Sequence, residues 1–186
     1  MVFLARRFRT GDDAHKSGQS LPYPICPCPV IALCSSEFAS APPVIRIENP
    51  GAIAASGAQT VAAPLAVLYA IDALRWRPEY PIVVLSQASR GLIGEEDRDR
   101  LWERFGVPVF EYLLSAAGNL VAEECEAHEG LHLSDGCGDL RGTITREPCA
   151  CGKSTPRLLT LDAIIEESLA VPTLKQEWRN WQTHQT

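Results

Sequence analysis

Residues 81–114 decide the fold of this 186-residue chain: PIVVLSQASRGLIGEEDRDRLWERFGVPVFEYLL. Residues 82–85 form a continuous apolar run, which is typical of a strand in a sheet covered on both faces. Glu95–Phe105 has three acidic residues in its first turn, an apolar pair at i,i+4 and a following glycine, so it predicts a helix. Residues 107–114 then predict a second strand. Strand, helix and strand in this order indicate an α/β fold.

The segment upstream extends this pattern. Residues 30–34 and 43–48 are short and rich in Val and Ile, which predicts strands. Residues 59–74 predict a largely buried, alanine-rich helix, because apolar residues recur at helical spacing. We therefore expect a partly parallel sheet with flanking helices. A short edge strand is expected at residues 2–8 and a proline-rich loop at residues 10–29.

The segment downstream predicts a β-rich region. Short strands are expected at residues 120–124, 131–134, 140–145 and 157–161. A short helix is expected from Asp162. We interpret residues 1–171 as a single α/β domain that includes a zinc-knuckle region at about residues 120–158, followed by a polar tail over residues 172–186.

Cysteine and histidine residues cluster in this β-rich region. Cys125 and His132 form one pair, and Cys149 and Cys151 form another. Thiolate and imidazole are the usual ligands of zinc, and two such pairs give a closed tetrahedral site. Gly152 follows the second pair, and glycine accepts the positive φ that a knuckle turn needs. Four soft ligands predict a structural zinc rather than a catalytic one.

Other residues offer alternatives to this set. His128 or Cys137 could replace one of the four ligands. The C-x-C spacing also occurs at Cys26 and Cys28, which could form a rival metal half-site with Cys34. Buried, reduced cysteines near surface histidines are the alternative that involves no metal.

An acidic run surrounds the first ligand pair. Glu123, Glu124, Glu126 and Glu129, together with His128, could act as general acids and bases in a cleft. A run of this kind is more often a solvated rim. Glu126 could instead orient a metal-bound histidine through a hydrogen bond.

Charge and hydropathy restrict the partners and the compartment. The net charge of −6 and the pI of about 5.2 argue against a nucleic-acid partner. No stretch approaches the roughly 20 apolar residues that span a bilayer. Residues 1–10 lack the apolar core of a secretory signal, and seven cysteines without such a signal favour a reducing compartment. We expect a cytoplasmic protein.

Several motifs resemble a known enzyme family. Residues 105–112 (FGVPVFEY), 124–132 (ECEAHEGLH), 138–140 (GDL) and 147–157 (EPCACGKSTPR) are similar to the phenylacetate–CoA ligase branch of the adenylate-forming enzymes. The similarity covers about residues 81–158. It implies an α/β core. Some members of that branch carry zinc on such Cys and His residues, and the resemblance assigns this role to Cys125, His132, Cys149 and Cys151.

The resemblance also implies a chemistry, from which this chain departs. The family activates a carboxylate as an acyl-adenylate and transfers it to coenzyme A. In its Y-G-x-T-E motif, which falls on residues 112–116, the glycine is replaced by Leu113 and the glutamate by Ala116. Ser115 could supply the threonine hydroxyl. The lysine-bearing phosphate loop is not visible in the sequence, and no counterpart of the C-terminal lid follows Arg157.

One nucleotide-binding residue of the family has a counterpart. Asp139 matches the aspartate that contacts ribose hydroxyls, although turn chemistry explains an aspartate in Gly-Cys-Gly-Asp equally well.

Three functional hypotheses follow. The first is a zinc-bound, non-catalytic relative of the acyl-adenylating ligases that binds a partner chain, a second copy, or a small acyl or nucleotide ligand. The second is a working ligase that uses ATP and needs a partner for the missing loop and lid. The third is a zinc-dependent hydrolase with an open metal position. The replaced glutamate and the missing lysine favour the first over the second.

Overall fold

One sheet organises the described part of the chain, which comprises residues 22–24, 29–35, 44–135 and 140–162 of a computed structural model. Its nine strands are β1 (Ile31–Leu33), β2 (Val44–Arg46), β3 (Thr60–Ala63), β4 (Ile82–Gln87), β5 (Val109–Leu114), β6 (Leu120–Glu124), β7 (Leu131–Leu133), β8 (Gly142–Thr145) and β9 (Arg157–Leu161). The helices among these residues are α1 (Leu65–Asp72), α2 (Glu95–Phe105) and a 3₁₀ helix (Pro50–Ala55).

The sheet changes direction at β5. The strand order is β2-β1-β3-β4-β5-β6-β7-β9-β8. In this order, the strands from β2 to β5 pair in parallel, and the strands from β5 to β8 pair antiparallel. Parallel neighbours need a crossover, which α2 supplies between β4 and β5, whereas antiparallel neighbours need only a short turn. The predicted partly parallel sheet with a β-rich second half is confirmed at this level.

Both faces of the parallel half are covered. Ile82 and Val84 of β4 pack in a cluster with Leu101 and Phe105 of α2, whereas Val83 lies in a separate cluster on the opposite face. This double burial explains the continuous apolar run, because alternate side chains of a strand enter opposite faces. Full burial of Leu101 contributes about 1.5–3 kcal/mol to stability.

Helix α2 begins and ends where the sequence predicts. Its first turn carries the acidic residues, and Gly106 ends it in the left-handed conformation, with φ of 68°. The N–H of Gly106 donates to the carbonyl of Trp102 at 2.8 Å. This contact satisfies one of the carbonyl groups that a helix end leaves unpaired.

The predicted helix over residues 59–74 is wrong in its first half. Thr60–Ala63 forms β3, which is fully buried between β1 and β4, and α1 begins only at Leu65. Pro64 separates the two elements, because its backbone (φ −58°, ψ 149°) is extended and it has no N–H to continue a ladder. Alanine has high helix propensity, but small side chains also suit a strand in a crowded sheet, and the tertiary context decides.

Several predicted features lie outside the described residues: the strand at residues 2–8, the helix beyond Asp162, the tail over residues 172–186, and Cys26, Cys28, Cys137 and Asp139. Among the described helices, none is long and apolar enough to cross a membrane.

Candidate metal centre

The antiparallel half brings four predicted ligands together. Cys125 follows β6 directly, and His132 lies within the neighbouring strand β7. Cys149 and Cys151 lie in the loop that joins β8 to β9, and β9 pairs with β7. The ligand atoms of these four residues all lie within 4.8 Å of one another, so the cluster could hold a metal ion.

The separations suit a tetrahedral ion. The Sγ atoms of Cys125 and Cys149 are 3.5 Å apart, and the Sγ of Cys151 is 3.3 Å from the Nε2 of His132. Zinc bonds of about 2.3 Å to sulfur and 2.0–2.1 Å to nitrogen place tetrahedral ligands about 3.5–3.8 Å apart. These two separations are therefore close to those of a tetrahedral zinc site, and the limit of 4.8 Å for the whole set means that the widest pair would close by at most about 1 Å.

The turn at the second ligand pair has the predicted backbone form. Gly152 adopts φ of 83°, and its N–H donates to the carbonyl of Cys149 at 2.9 Å. The next N–H, that of Lys153, lies 3.5 Å from the Sγ of Cys151. An N–H directed at sulfur stabilises the thiolate, which is the form that binds metal.

The protonation states of the cluster favour an added cation. Burial raises the pKa of Cys125 to about 12, and its contacts with Cys149 and Cys151 act in the same direction. Desolvation also opposes the Cys151 thiolate, but the Lys153 N–H and the neighbouring thiols outweigh it and lower the pKa of Cys151. Burial therefore disfavours the charged form of Cys125 when no positive charge lies beside it. A divalent ion would supply that charge and deprotonate its ligands.

Burial disfavours the charged form of the His132 imidazole, and a hydroxyl holds the ring in place. Burial, aided by the positive charge of Lys153, lowers the pKa of His132. Its Nδ1 lies 2.8 Å from the Oγ1 of Thr155. The predicted orienting residue, Glu126, is exposed, and Thr155 takes that position. The loop after Cys151 folds back along β7, which sequence spacing alone did not reveal.

A buried charged network lies beside the cluster, and the sequence did not predict it. Glu124 is only 5% exposed, and its carboxylate accepts hydrogen bonds from Arg98 at 3.1 Å and from the N–H of Glu111 at 2.7 Å. The Nδ1 of His128 lies 2.8 Å from the same carboxylate, and its ring stacks on Phe110. These contacts engage His128 outside the four-residue cluster.

The network continues to Glu111, which is 1% exposed. Its carboxylate accepts hydrogen bonds from the hydroxyl of Ser86 at 2.5 Å and from the N–H of Ile93 at 2.8 Å. Burial raises the pKa of Glu111 to about 6, although these two donors and Arg98 lower it in part. One guanidinium therefore serves two buried carboxylates, since Arg98 also lies 3.9 Å from Glu111.

Two further acidic residues of the run are paired with cations, whereas Glu126 is exposed. Glu123 accepts a hydrogen bond from Lys153 at 2.6 Å, and Glu129 accepts one from Arg157 at 3.0 Å. The run is therefore neither a simple solvated rim nor a group of unpaired acids and bases. Three of its four glutamates form ion pairs beside the cluster.

Of the two residues assigned to nucleotide binding, the structure describes only Ser115. Ser115 lies in the turn between β5 and β6, where its Oγ accepts the N–H of Asn119 at 3.2 Å. Asp139 lies outside the described residues. Cys34 is buried after β1, and burial raises its pKa to about 11, which disfavours the reactive thiolate form.

A cavity of about 520 Å³ opens at the carboxyl ends of β1, β3, β4 and β5, beside the first turn of α1. Open α/β sheets bind ligands at this edge. Its lining is mainly apolar, and its polar members include Ser35, Ser86, Gln87, Arg90 and Asp97. Ser86 connects this cavity to the Glu111 network.

Fold and site together define a mixed α/β protein with a Cys₃His cluster that could bind a metal ion. No family model matches the sequence, and no curated protein matches it. Among solved structures, an open conformation of 2-hydroxyisobutyryl-CoA ligase in complex with 2-HIB-AMP and CoA is similar, with 10% sequence identity and a TM-score of 0.48. The similarity covers 70% of this chain and 43% of the ligase, so the chain spans less than half of that protein.

Proposed function

We propose that this chain is a zinc-binding, non-catalytic relative of the acyl-adenylating CoA ligases, with a role as a binding or accessory protein. Cys125, His132, Cys149 and Cys151 hold one structural Zn²⁺. The observation that carries the proposal is the approach of their four ligand atoms to within 4.8 Å of one another. A cytoplasmic, reducing location suits a site built from three thiolates.

The ligand set supports zinc over other ions. Three thiolates and one imidazole are soft ligands, and the tetrahedral arrangement is typical of structural zinc. A hydrolytic zinc would need an open position for water, whereas four protein ligands fill the coordination sphere.

The sequence resemblance to the phenylacetate–CoA ligase branch supports the proposed ancestry. Leu113 and Ala116 replace the glycine and the glutamate of the family's nucleotide motif, so the metal-bound ATP would lack a contact. A small acyl or nucleotide ligand could occupy the 520 Å³ cavity. A partner chain or a second copy is the other candidate for binding.

Metal content tests the zinc proposal. Elemental mass spectrometry of the purified protein should find one zinc per chain, and Cys125→Ser and Cys149→Ser should both lose it. Cys34→Ser is the matched control, because it removes a buried thiol that lies outside the cluster. A wild-type protein without metal, or zinc that persists in both cluster variants, would remove the proposal.

The second candidate is an AMP-forming acid–CoA ligase that needs a partner for the phosphate loop and lid. The cavity at the carboxyl ends of the parallel strands favours it. The test is pyrophosphate release from ATP and Mg²⁺ with a panel of carboxylates and coenzyme A. AMP binding that is weakened by Asp139→Ala and Ser115→Ala would support this activity. No release and no AMP binding would leave the non-catalytic function.

A further inference from the structure

Arg157 is not one of the four candidate ligands, but its side chain contacts the loops on which they lie. It lies on β9 opposite His132 of β7, and its side chain is 6% exposed. One terminal nitrogen, Nη1, donates to the backbone carbonyl of Glu129 at 2.6 Å and to its carboxylate at 3.0 Å. The other, Nη2, donates to the backbone carbonyl of Glu147 at 3.3 Å.

These acceptors belong to the two loops that carry the ligands. Glu129 lies between Cys125 and His132, and Glu147 lies two residues before Cys149. The guanidinium therefore connects the two half-sites through backbone carbonyls. Its buried Nε has no acceptor among the described residues, so the two loops alone fix its orientation.

The charge of Arg157 also suits the loaded site. Three thiolates, a neutral imidazole and Zn²⁺ carry a net charge of −1, which is costly to bury without a counter-charge. Lys153 is the other cation beside the cluster, but its side chain is 48% exposed, so solvent screens it. The Arg157 side chain is 6% exposed, so solvent screens its charge less, although the ion pair with Glu129 offsets part of that charge.

We propose that Arg157 is a positioning residue of the metal centre: its guanidinium holds the two ligand-bearing loops in the arrangement that the ion needs and offsets the charge of the loaded site. This inference rests on the proposed zinc-binding function. A planar fork can hold two carbonyls at once, whereas a lysine ammonium in the same place is a single charged point.

The test compares Arg157→Lys and Arg157→Gln with the wild-type full chain. Zinc affinity is measured by competition with a chelator, and Co²⁺ is substituted to record the thiolate absorption of a tetrahedral site. We expect about 10–100-fold weaker zinc binding in Arg157→Lys, the range for groups that orient metal ligands, and a larger loss in Arg157→Gln. Lys153→Gln should weaken binding less than either.

Val83→Ala separates positioning from general stability, because Val83 is fully buried in β4, which is not adjacent to β6, β7 or β9 in the sheet. It should lower the melting temperature and leave zinc affinity unchanged. Arg157 variants that bind zinc as the wild type does would overturn the inference, as would an equal loss of affinity in Val83→Ala. A wild-type chain that binds no zinc would instead remove the proposed function. If Arg157→Gln does not fold, the zinc affinity of Arg157→Lys tests the inference by itself.

Discussion

His132 and Thr155 are joined by a hydrogen bond of 2.8 Å between the imidazole Nδ1 and the hydroxyl Oγ1. The second ring nitrogen, Nε2, lies 3.3 Å from the Sγ of Cys151. A proton on Nδ1 would be donated to Thr155, and the lone pair on Nε2 would then face the cluster. The hydroxyl therefore holds the orientation of the imidazole, which is the only nitrogen donor of the four-residue cluster, and the Nδ1–H tautomer is the one that leaves Nε2 free to bind an ion.

Thr155→Val should weaken zinc binding about tenfold, the lower end for a ligand-orienting group, because Thr155 is exposed and water can replace its hydroxyl in part. Thr155→Ser keeps the hydroxyl and should bind zinc like the wild type. Chelator competition measures both. Equal affinity in the Val and Ser variants would show that the hydroxyl does not orient His132.

The ligand cluster could be predicted from the sequence because its members are few, chemically distinctive and paired along the chain. The strands between Cys125 and Arg157 are short, so the possible arrangements are limited. Helix α2 could also be predicted from the sequence, since its acidic first turn and the glycine that ends it, Gly106, are local signals. Local signals fail where two of them conflict. Apolar residues recur at helical spacing over residues 59–74, but Pro64 lies within this segment and separates β3 from α1.

The buried network could not be predicted, because its partners are distant in sequence. Glu124 looks like one more residue of a solvated acidic run. Only the pairing of β5 with β6 and the packing of α2 bring Arg98 and Glu111 to it. Burial of a carboxylate is a property of the assembled sheet, and its neighbours along the chain do not encode it.

Arg98→Met should lower the free energy of unfolding by roughly 3 kcal/mol, because it leaves the Glu124 and Glu111 carboxylates buried without their cation. The estimate is the lower end for a broken buried pair, since the Arg98 side chain is 27% exposed. Arg100→Met is the matched control on the same helix. It breaks surface pairs with Glu96 and Asp97 and a contact with the Tyr69 ring, and it should change stability by about 1 kcal/mol or less. Urea unfolding of both variants measures the difference, and equal effects would contradict a buried role for Arg98.

Glu111 should make the protein less stable as the pH rises from about 4.5 to 6. Its pKa is raised to about 6 in the folded state, against the ordinary value of 4.5, so the folded state binds more protons within this window. Stability falls with pH wherever the folded state holds the extra proton, and it is constant above the folded pKa. The effect should amount to about 2 kcal/mol, at 1.36 kcal/mol per pKa unit.

The measurement is the difference in unfolding free energy between the wild type and Glu111→Gln at several pH values. Glu111→Gln cannot titrate, so this difference should change across the window and stay level above it. Glu103→Gln, at an exposed position on α2, is the control for replacing a glutamate by glutamine. A flat difference for Glu111→Gln would mean that the buried carboxyl titrates normally.

Gly142→Ala should destabilise the β8–β9 pair. A Cβ at Gly142 would lie 2.0 Å from the backbone carbonyl oxygen of Thr160, so one strand must move, and overpacking of this kind costs about 1–3 kcal/mol. Gly94→Ser is the control, because a Cβ there meets no atom within 4 Å and serine is favoured at the N-cap of α2. Thermal melts should show a lower midpoint for Gly142→Ala and an unchanged or higher one for Gly94→Ser. Because β9 also carries Arg157, zinc affinity should fall with the midpoint in Gly142→Ala, and a variant that melts like the wild type would show that β8 adapts without displacing β9.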